Sequence, residues 1–226
     1  MDIFYSIVNF FVKGGAFMVP ILIVGAAAAA IVIERYVTLT RLIIGNRSAW
    51  SSVEPALTNG DFDSAREITS KDSTAMSRLL GVGLARQGAV RRLDDVEKAM
   101  RASMLEIVPH LEKRTHYLGT FANLATLLGL LGTVSGLIHA FTAVASANPA
   151  EKANLLAASI SEAMNCTAFG LMVAVPILFL HSFLQTKTIE LITSLETAAG
   201  KYMTLVADRQ SARAQTRLEL AQVVNG

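Results

Sequence analysis

Three long stretches of this chain carry almost no charge, and they restrict the available folds more than any other feature. From Gly14 to Ile33 there is no Asp, Glu, Lys or Arg. From Tyr117 to Thr186 the only ones are Glu151, Lys152 and Glu162, so this tract divides at a short polar loop into two apolar runs. About 20 apolar residues in a helix cross about 30 Å of hydrocarbon. A helix also satisfies its own backbone hydrogen bonds where no water can do so. Transmembrane helices are therefore expected over about Ala16–Ile33, Leu118–Ala145 and Ala158–Leu184. Only 17% of the residues are charged, against roughly a quarter in soluble domains. The first run is too long for a cleaved leader, and no basic stretch precedes it, so it reads as an uncleaved helix. The expected fold is all-α: an integral membrane protein with three transmembrane helices, two of them extended into a cytoplasmic helical domain.

Charge sets the expected sidedness. Of the 20 Lys and Arg, thirteen lie between Arg35 and Arg114 and five lie from Lys187 onward, while Lys13 and Lys152 are single. Cytoplasmic segments carry the basic excess. The N-terminus and the loop between the second and third spans therefore face outward. The chain divides into an outer-face interfacial helix (1–14), a first transmembrane helix (15–44) and a cytoplasmic helical region (45–116). A second transmembrane helix (117–146), an outer loop (147–157), a third transmembrane helix (158–186) and a cytoplasmic C-terminal helix and tail (187–226) follow. The opening segment, with Phe4, Ile7, Val8, Phe10 and Phe11 before a Gly pair, suits the membrane surface; the alternative is a simple extension of the first span.

In the polar region, Asn59-Gly60 marks a turn, and Asp61 is expected to cap a helix through Ile68. Ser73 is expected to cap another, running to about Gln87. Val96, Met100, Met104, Ile107 and Leu111 recur at helical intervals, and no turn signal separates them from the second span. One helix from Leu93 to Ala145, kinked at Pro109, is expected. Ile189, Ile192, Leu195, Ala199, Tyr202 and Val206 carry the third helix beyond its span. The stretch after Asp208 has weak core-forming character and reads as a fraying end.

The polar and small residues inside the spans are the functional candidates. At 100° per residue, Gly119, Ala122, Thr126, Gly129, Thr133, Gly136 and Ala140 share one stripe, and Gly132 and Gly136 form a G-x-x-x-G pair. Small residues let helix backbones approach closely in lipid, so Gly129, Gly132, Gly136 and, on the third span, Gly170 read as packing positions. Thr126 and Thr133 have two readings: hydroxyls bonded to their own helix, or the lining of a hydrated path. On the third span Ser159, Ala163, Cys166, Thr167, Gly170, Ala174 and His181 fall on the face of Glu162. Met164, Leu171, Met172, Val175 and Phe179 form the opposite, bulky face, and Asn165 projects to the other side of Glu162. A charge at mid-membrane costs at least about 2.5–3.5 kcal/mol and usually marks function; otherwise Glu162 reaches headgroup water. His139 and His181 read as interfacial residues.

Several classes are disfavoured. Cys166 is the only cysteine, which excludes an intrachain disulfide, and no Cys/His metal spacing is present. "GLLGTVSG" lacks the Lys-Ser/Thr of a phosphate-binding loop, and "GVGLARQG" misses the dinucleotide spacing. No nucleophile has a nearby base in the pattern. No enzyme chemistry, cofactor, metal or nucleic-acid partner is expected. A small-solute transporter is disfavoured because no inverted repeat or broken helix pair is visible. A non-conducting scaffold, assembled through the small-residue faces, remains as a different class.

"LLGLLGTVSGLIHAF" followed by "ISEAMNCTAFGLMVAVP" resembles the paired core helices of the ExbB/TolQ/MotA proton-channel family. The first pattern is carried by Leu131, Gly132, Thr133, Val134 and Gly136. The second is carried by Glu162, Ala163, Thr167, Ala168, Gly170, Leu171, Ala174 and Pro176. With three spans and a basic middle segment the chain is more similar to ExbB and TolQ than to MotA; Ser135, Asn165 and Cys166 depart from the usual residues. The resemblance implies a homopentamer around two copies of an ExbD/TolR-like protein with one span and an essential transmembrane Asp. It places Thr133 and Thr167 along the ion path and Glu162 toward its outer mouth. It also implies work on the envelope of a bacterial inner membrane, through a TonB- or TolA-like protein, driven by protons or, in a variant form, by sodium. The driven process would be outer-membrane import, envelope maintenance or gliding motility.

Overall fold

The computed structural model describes residues 15–87 and 93–224. Its elements are helices: α1 (Met18–Asn59), α2 (Phe62–Lys71), α3 (Ala75–Gln87), α4 (Leu93–Glu112), α5 (Thr115–Ser146) and α6 (Lys152–Val224). Three helical segments are long and apolar enough to cross a membrane, one in α1, one ending with α5 and one in α6. The chain is an all-α membrane protein. The helix expected over 1–14 lies outside the described residues. Two compact units are present: Met1–Tyr36 with Arg114–Gln185, and Val37–Lys113 with Thr186–Gly226.

In the first unit α1 buries Met18, Ile21, Ala28 and Arg35 at helical spacing, while Val19, Ile23 and Ile33 point outward. α5 buries Leu118, Ala122, Ala125, Gly129, Gly132 and Ala140 and exposes Leu127, Val134, Ile138 and Phe141. On α5, Leu118 apart, the division runs small inside and bulky outside, the reverse of a water-soluble bundle. Lipid tails solvate Leu and Phe as well as a protein core does, so close backbone packing is what holds such helices together.

The single helix expected from Leu93 to Ala145 is not found. Pro109 lies inside α4; the helix instead breaks after Glu112, with Arg114 at φ 67°. Pro109 is tolerated because it sits on an exposed turn with the 73%-exposed Leu105 four residues before it, where water can take the carbonyl that the missing N–H leaves free. A left-handed non-glycine residue costs about 1–2 kcal/mol, and two interactions offset it. Arg114 Nη1 donates to Glu34 Oε2 at 2.7 Å. Arg35, only 3% exposed, donates from Nε to Thr115 Oγ1 at 3.2 Å. Adjacent residues of α1 thus clamp adjacent residues at the start of α5.

In the second unit Asp61 caps α2, its Oδ1 accepting from Ser64 N at 3.0 Å, and the helix continues to Lys71, beyond the expected Ile68. The cap of α3 is Thr74, not Ser73: Thr74 Oγ1 accepts from Ser77 N at 3.2 Å. Asp72 selects it by accepting from the Thr74 and Ser77 hydroxyls, each at 2.7 Å. Burial alone would raise the Asp72 pKa, but these hydrogen bonds outweigh it and hold the carboxyl below its ordinary value. α3 packs on α2 and α4, with Leu79, Leu80 and Leu84 fully buried. A Cβ on Gly83 would lie 2.7 Å from the Tyr202 ring and 2.8 Å from Met100 Sδ, so α3, α4 and α6 meet there without room for a methyl group. The α6 seam is Thr188, Leu191, Leu195, Ala198, Tyr202 and Val206. Ile189, expected on it, is 55% exposed because it falls one position off the alternating steps of three and four. α6 reaches Val224, so the expected fraying after Asp208 is not seen. That stretch holds no Pro or Gly before Gly226 and has three each of Ala, Arg and Gln, all strong helix formers.

Overpacking a close site costs about 1–3 kcal/mol, so Gly83→Val should lower the thermal midpoint of the detergent-solubilised protein. Gly200→Ala is the control: its added Cβ meets nothing within 4 Å, and the midpoint should hold or rise, since Gly in a helix is about 0.5–1 kcal/mol worse than Ala. Asp72 supplies a pH test. Its folded pKa is depressed, so its contribution is present above the unfolded value of about 3.9 and is lost as pH falls through the lower folded value. Asp72→Asn should flatten the acid limb of the stability profile; an unchanged limb would contradict the hydrogen-bonded carboxylate.

Candidate functional site

α5 and α6 approach backbone to backbone. A Cβ on Gly170 would lie 2.7 Å from Ala125 O and 3.1 Å from Gly129 Cα, and one on Gly129 would lie 3.3 Å from Thr167 Cα. Gly136 faces Ala163, whose methyl would be 2.7 Å from an added Cβ, and the Cys166 side chain occupies the space that a side chain on Gly132 would need. At the other end the His181 ring lies 3.5 Å from where a Cβ of Gly119 would be. The partners run in opposite directions along the two helices, so α5 and α6 are antiparallel and in register across the contact.

The hydroxyls sit on the edge of this contact. Thr167 Oγ1 donates across it to Gly129 O at 2.9 Å. Thr133, one turn further along α5, donates to Leu130 O of its own helix at 2.6 Å, and Thr126 donates to Ala122 O at 3.1 Å. The seven-residue stripe expected on α5 therefore splits. Ala122, Gly129 and Ala140 are buried, joined by Ala125 and Gly132, while Thr126 is exposed and Thr133 half-buried on the flank. Each hydroxyl has given its proton to a carbonyl and keeps only acceptor lone pairs. Thr133 and Thr167 can thus receive a hydrogen bond from water, a hydronium ion or a protonated acid, or offer an oxygen to a cation.

Glu162 is exposed, and its carboxylate lies where a Cβ on Gly15 would be, at a residue with φ 77°. It stands ten residues after the start of α6, about 15 Å along a helix. The face assigned to Glu162 divides: Ala163 and Cys166 are buried, Thr167 is half-buried and Glu162 stays outside. Asn165 is half-buried. Met164, Leu171, Met172, Val175 and Phe179 are exposed, while Phe169 and Ile177 are buried, at 7% and 6% exposed. Sequence reasoning assigned the last two to neither face. It also missed Gly15, for which the signal was the glycine pair ahead of the first span. Among the described residues no group of three or more His, Cys, Asp or Glu is placed to hold a metal.

Three spans, an antiparallel pair closed by glycines and a row of acceptor hydroxyls on its flank define a polytopic helical membrane protein with a polar seam. Residues 71–197 match the model of the MotA/TolQ/ExbB proton channel family, and the chain belongs to that family. It is 32% identical over 117 residues to the Tol-Pal system protein TolQ of Haemophilus influenzae, covering 50% of this chain and 49% of that one. It is 31% identical over 122 residues to the biopolymer transport protein ExbB of Aquifex aeolicus, covering 54% and 80%. It is 49% identical over 53 residues to exbB1 of Vibrio cholerae, covering 24% and 23%. The chain spans about half the length of the TolQ relative it matches.

The register is open to a direct test. Cys166 is the only native cysteine, so Gly132→Cys should form an intrachain disulfide with it under mild oxidation, whereas Leu131→Cys, on the 49%-exposed outer surface, should not. Cross-linking at position 131 rather than 132 would place the helices in another register.

Proposed function

We propose that the chain is the channel-forming, stator-like subunit of an inner-membrane motor that converts the proton motive force into work on the cell envelope. The observation that carries this reading is the pair of acceptor-only hydroxyls, Thr133 and Thr167, beside a backbone contact that fixes their position. Neither has an acidic side chain of this chain beside it on its own helix; the nearest along α6 is Glu162, five residues away. A proton path needs an acid at its centre, and the missing one is the transmembrane Asp of a single-span, ExbD/TolR-like partner. Five copies of the chain surround two copies of that partner.

A buried carboxylate is costly in a bilayer and its protonated form is far less so. The partner's Asp, protonated from the outer side, donates its proton in a hydrogen bond to a Thr oxygen and thereby crosses the apolar zone. It releases the proton on the inner side. Each elementary charge crossing gains about 2.3 kcal/mol per 100 mV, which biases rotation of the pentamer about the dimer. Glu162, near the start of α6 and in contact with Gly15, acts at the outer mouth and raises the local proton concentration there. The Lys/Arg distribution supports a cytoplasmic location for 45–116 and 187–226 and an outer location for 1–14 and 147–157. The driven process is TonB-dependent outer-membrane import, reached through a TonB-like protein. The match to TolQ favours envelope maintenance through a TolA-like protein as the second reading.

Co-reconstitution of the chain with its single-span partner in vesicles tests this. Thr133→Val and Thr167→Val should each abolish proton flux under an imposed gradient while still co-purifying with the partner. Glu162→Gln should slow flux several-fold without lowering protein abundance. Unimpaired flux in both Thr variants would remove them from the path, and absence of flux in the wild-type complex would favour a non-conducting scaffold.

A further inference from the structure

The turn that leads into α1 is held in place by its own backbone and by both neighbouring helices. Met18 N donates to Gly15 O at 3.2 Å and Val19 N to Ala16 O at 3.4 Å. Just beyond it, Met18 and Ile21 are buried, at 1% and 0% exposed. Phe17 Cβ and the Cys166 side chain both crowd the point where a Cβ of Gly132 would lie, the former at 3.5 Å, so the turn meets α5 and α6 together. Gly15 faces Glu162, and further along α1 Gly25 faces Val173, whose Cγ1 would lie 3.0 Å from an added Cβ. α1 and α6 therefore run parallel and in register over this stretch.

At Gly15 two demands coincide. Its φ of 77° lies in the left-handed region that glycine enters without a steric cost. Independently, Glu162 Oε1 occupies the space that a Cβ there would need, with Cδ and Cγ 3.3 and 3.4 Å from that point. Asn and Asp also tolerate this backbone, but each carries a Cβ, so it is the room taken by the carboxylate that restricts the position to glycine. Glu162 is nonetheless exposed. Its carboxylate is thus seated on one side and open on the other. Without the seat, a glutamate side chain would sample several staggered rotamers.

We propose that Gly15 is the positioning residue for Glu162: the space left by its missing side chain is the seat that holds the carboxylate at the outer mouth, one helical turn outward of Cys166. Proton transfer is sensitive to the placement of the reacting groups on the ångström scale, and a turn fixed by α1, α5 and α6 supplies that placement. The inference rests on the role proposed above for Glu162.

The complete complex in vesicles is examined by proton flux and by solid-state NMR of protein carrying carbon-13 at Glu Cδ, where the Glu162 resonance is the one lost in Glu162→Gln. In Gly15→Ala that resonance should shift, and flux should fall several-fold, to the level of Glu162→Gln. Gly25→Ala crowds the same pair of helices without touching Glu162 and should leave both unchanged. In the Gly15→Ala background, Glu162→Asp, one methylene shorter, should restore at least half of the wild-type flux. Shortening the acid cannot relieve the backbone at position 15, so recovery assigns the loss to the seat. If Gly15→Ala alone does not fold, Glu162→Asp should restore the folded complex. An unmoved resonance in Gly15→Ala, an equal effect of Gly25→Ala, or no recovery with Glu162→Asp would overturn the proposal. Wild-type flux in Gly15→Ala beside reduced flux in Glu162→Gln would overturn the positioning role alone, whereas wild-type flux in Glu162→Gln would remove the role of Glu162 and this one with it.

Discussion

The contact between Gly129 and Gly170 sets the spacing on which the polar side chains of the spans depend. A Cβ on Gly170 would lie 2.7 Å from Ala125 O and one on Gly129 would crowd the α6 backbone at 3.3 Å, so the α5 and α6 backbones meet directly, and Thr167 is brought within hydrogen-bond reach of the Gly129 carbonyl. The bond does two things. It consumes the hydroxyl proton and fixes which way the remaining lone pairs face. A larger residue at 129 or 170 would separate the helices and leave Thr167 to bond its own helix, as Thr133 does. In lipid there is no hydrophobic drive to close such a gap, so the glycines act as spacers whose effect is felt by their polar neighbours.

Much of this was legible in the sequence, and the reasons differ by residue. The three spans were visible because hydrocarbon enforces an unbroken apolar length, which few other constraints do. The Asp61 cap was visible because its signal is local. The α4–α5 break was not. Pro109 is the obvious local candidate, yet the break falls at Arg114, where Glu34 and Arg35, some 80 positions earlier in the chain, stabilise an unfavourable backbone. Phe169 and Ile177, which are buried, were left unassigned, because in a membrane protein bulk does not distinguish a lipid-facing residue from a buried one. The α5 stripe was found but drawn too wide. A 100° arc on a helical wheel cannot separate the half that packs on α6 from the half that carries Thr126 and Thr133 toward another surface.

That split bears on how the molecule works. A packing face with hydroxyls in its centre would leave them committed and inaccessible. Here the packing residues occupy the middle and the hydroxyls the margin, so a neighbouring helix can reach them without opening the contact. The second unit is built on different terms, with a tight apolar centre around Gly83 and Tyr202 and a buried Asn46 amide whose Nδ2 has no hydrogen-bond partner among the described residues. One unit keeps its polar groups at the edge of a bilayer seam, the other buries one inside its core.

The most direct test of the account is the proton flux of Thr167→Ser in vesicles holding the complete complex. The account rests on the oxygen of residue 167 and its bond to Gly129, both of which serine retains, and it predicts flux close to wild type. A Thr167→Ser protein that assembles normally but conducts no protons would contradict it, because the methyl group, and hence packing alone, would then be what the position requires.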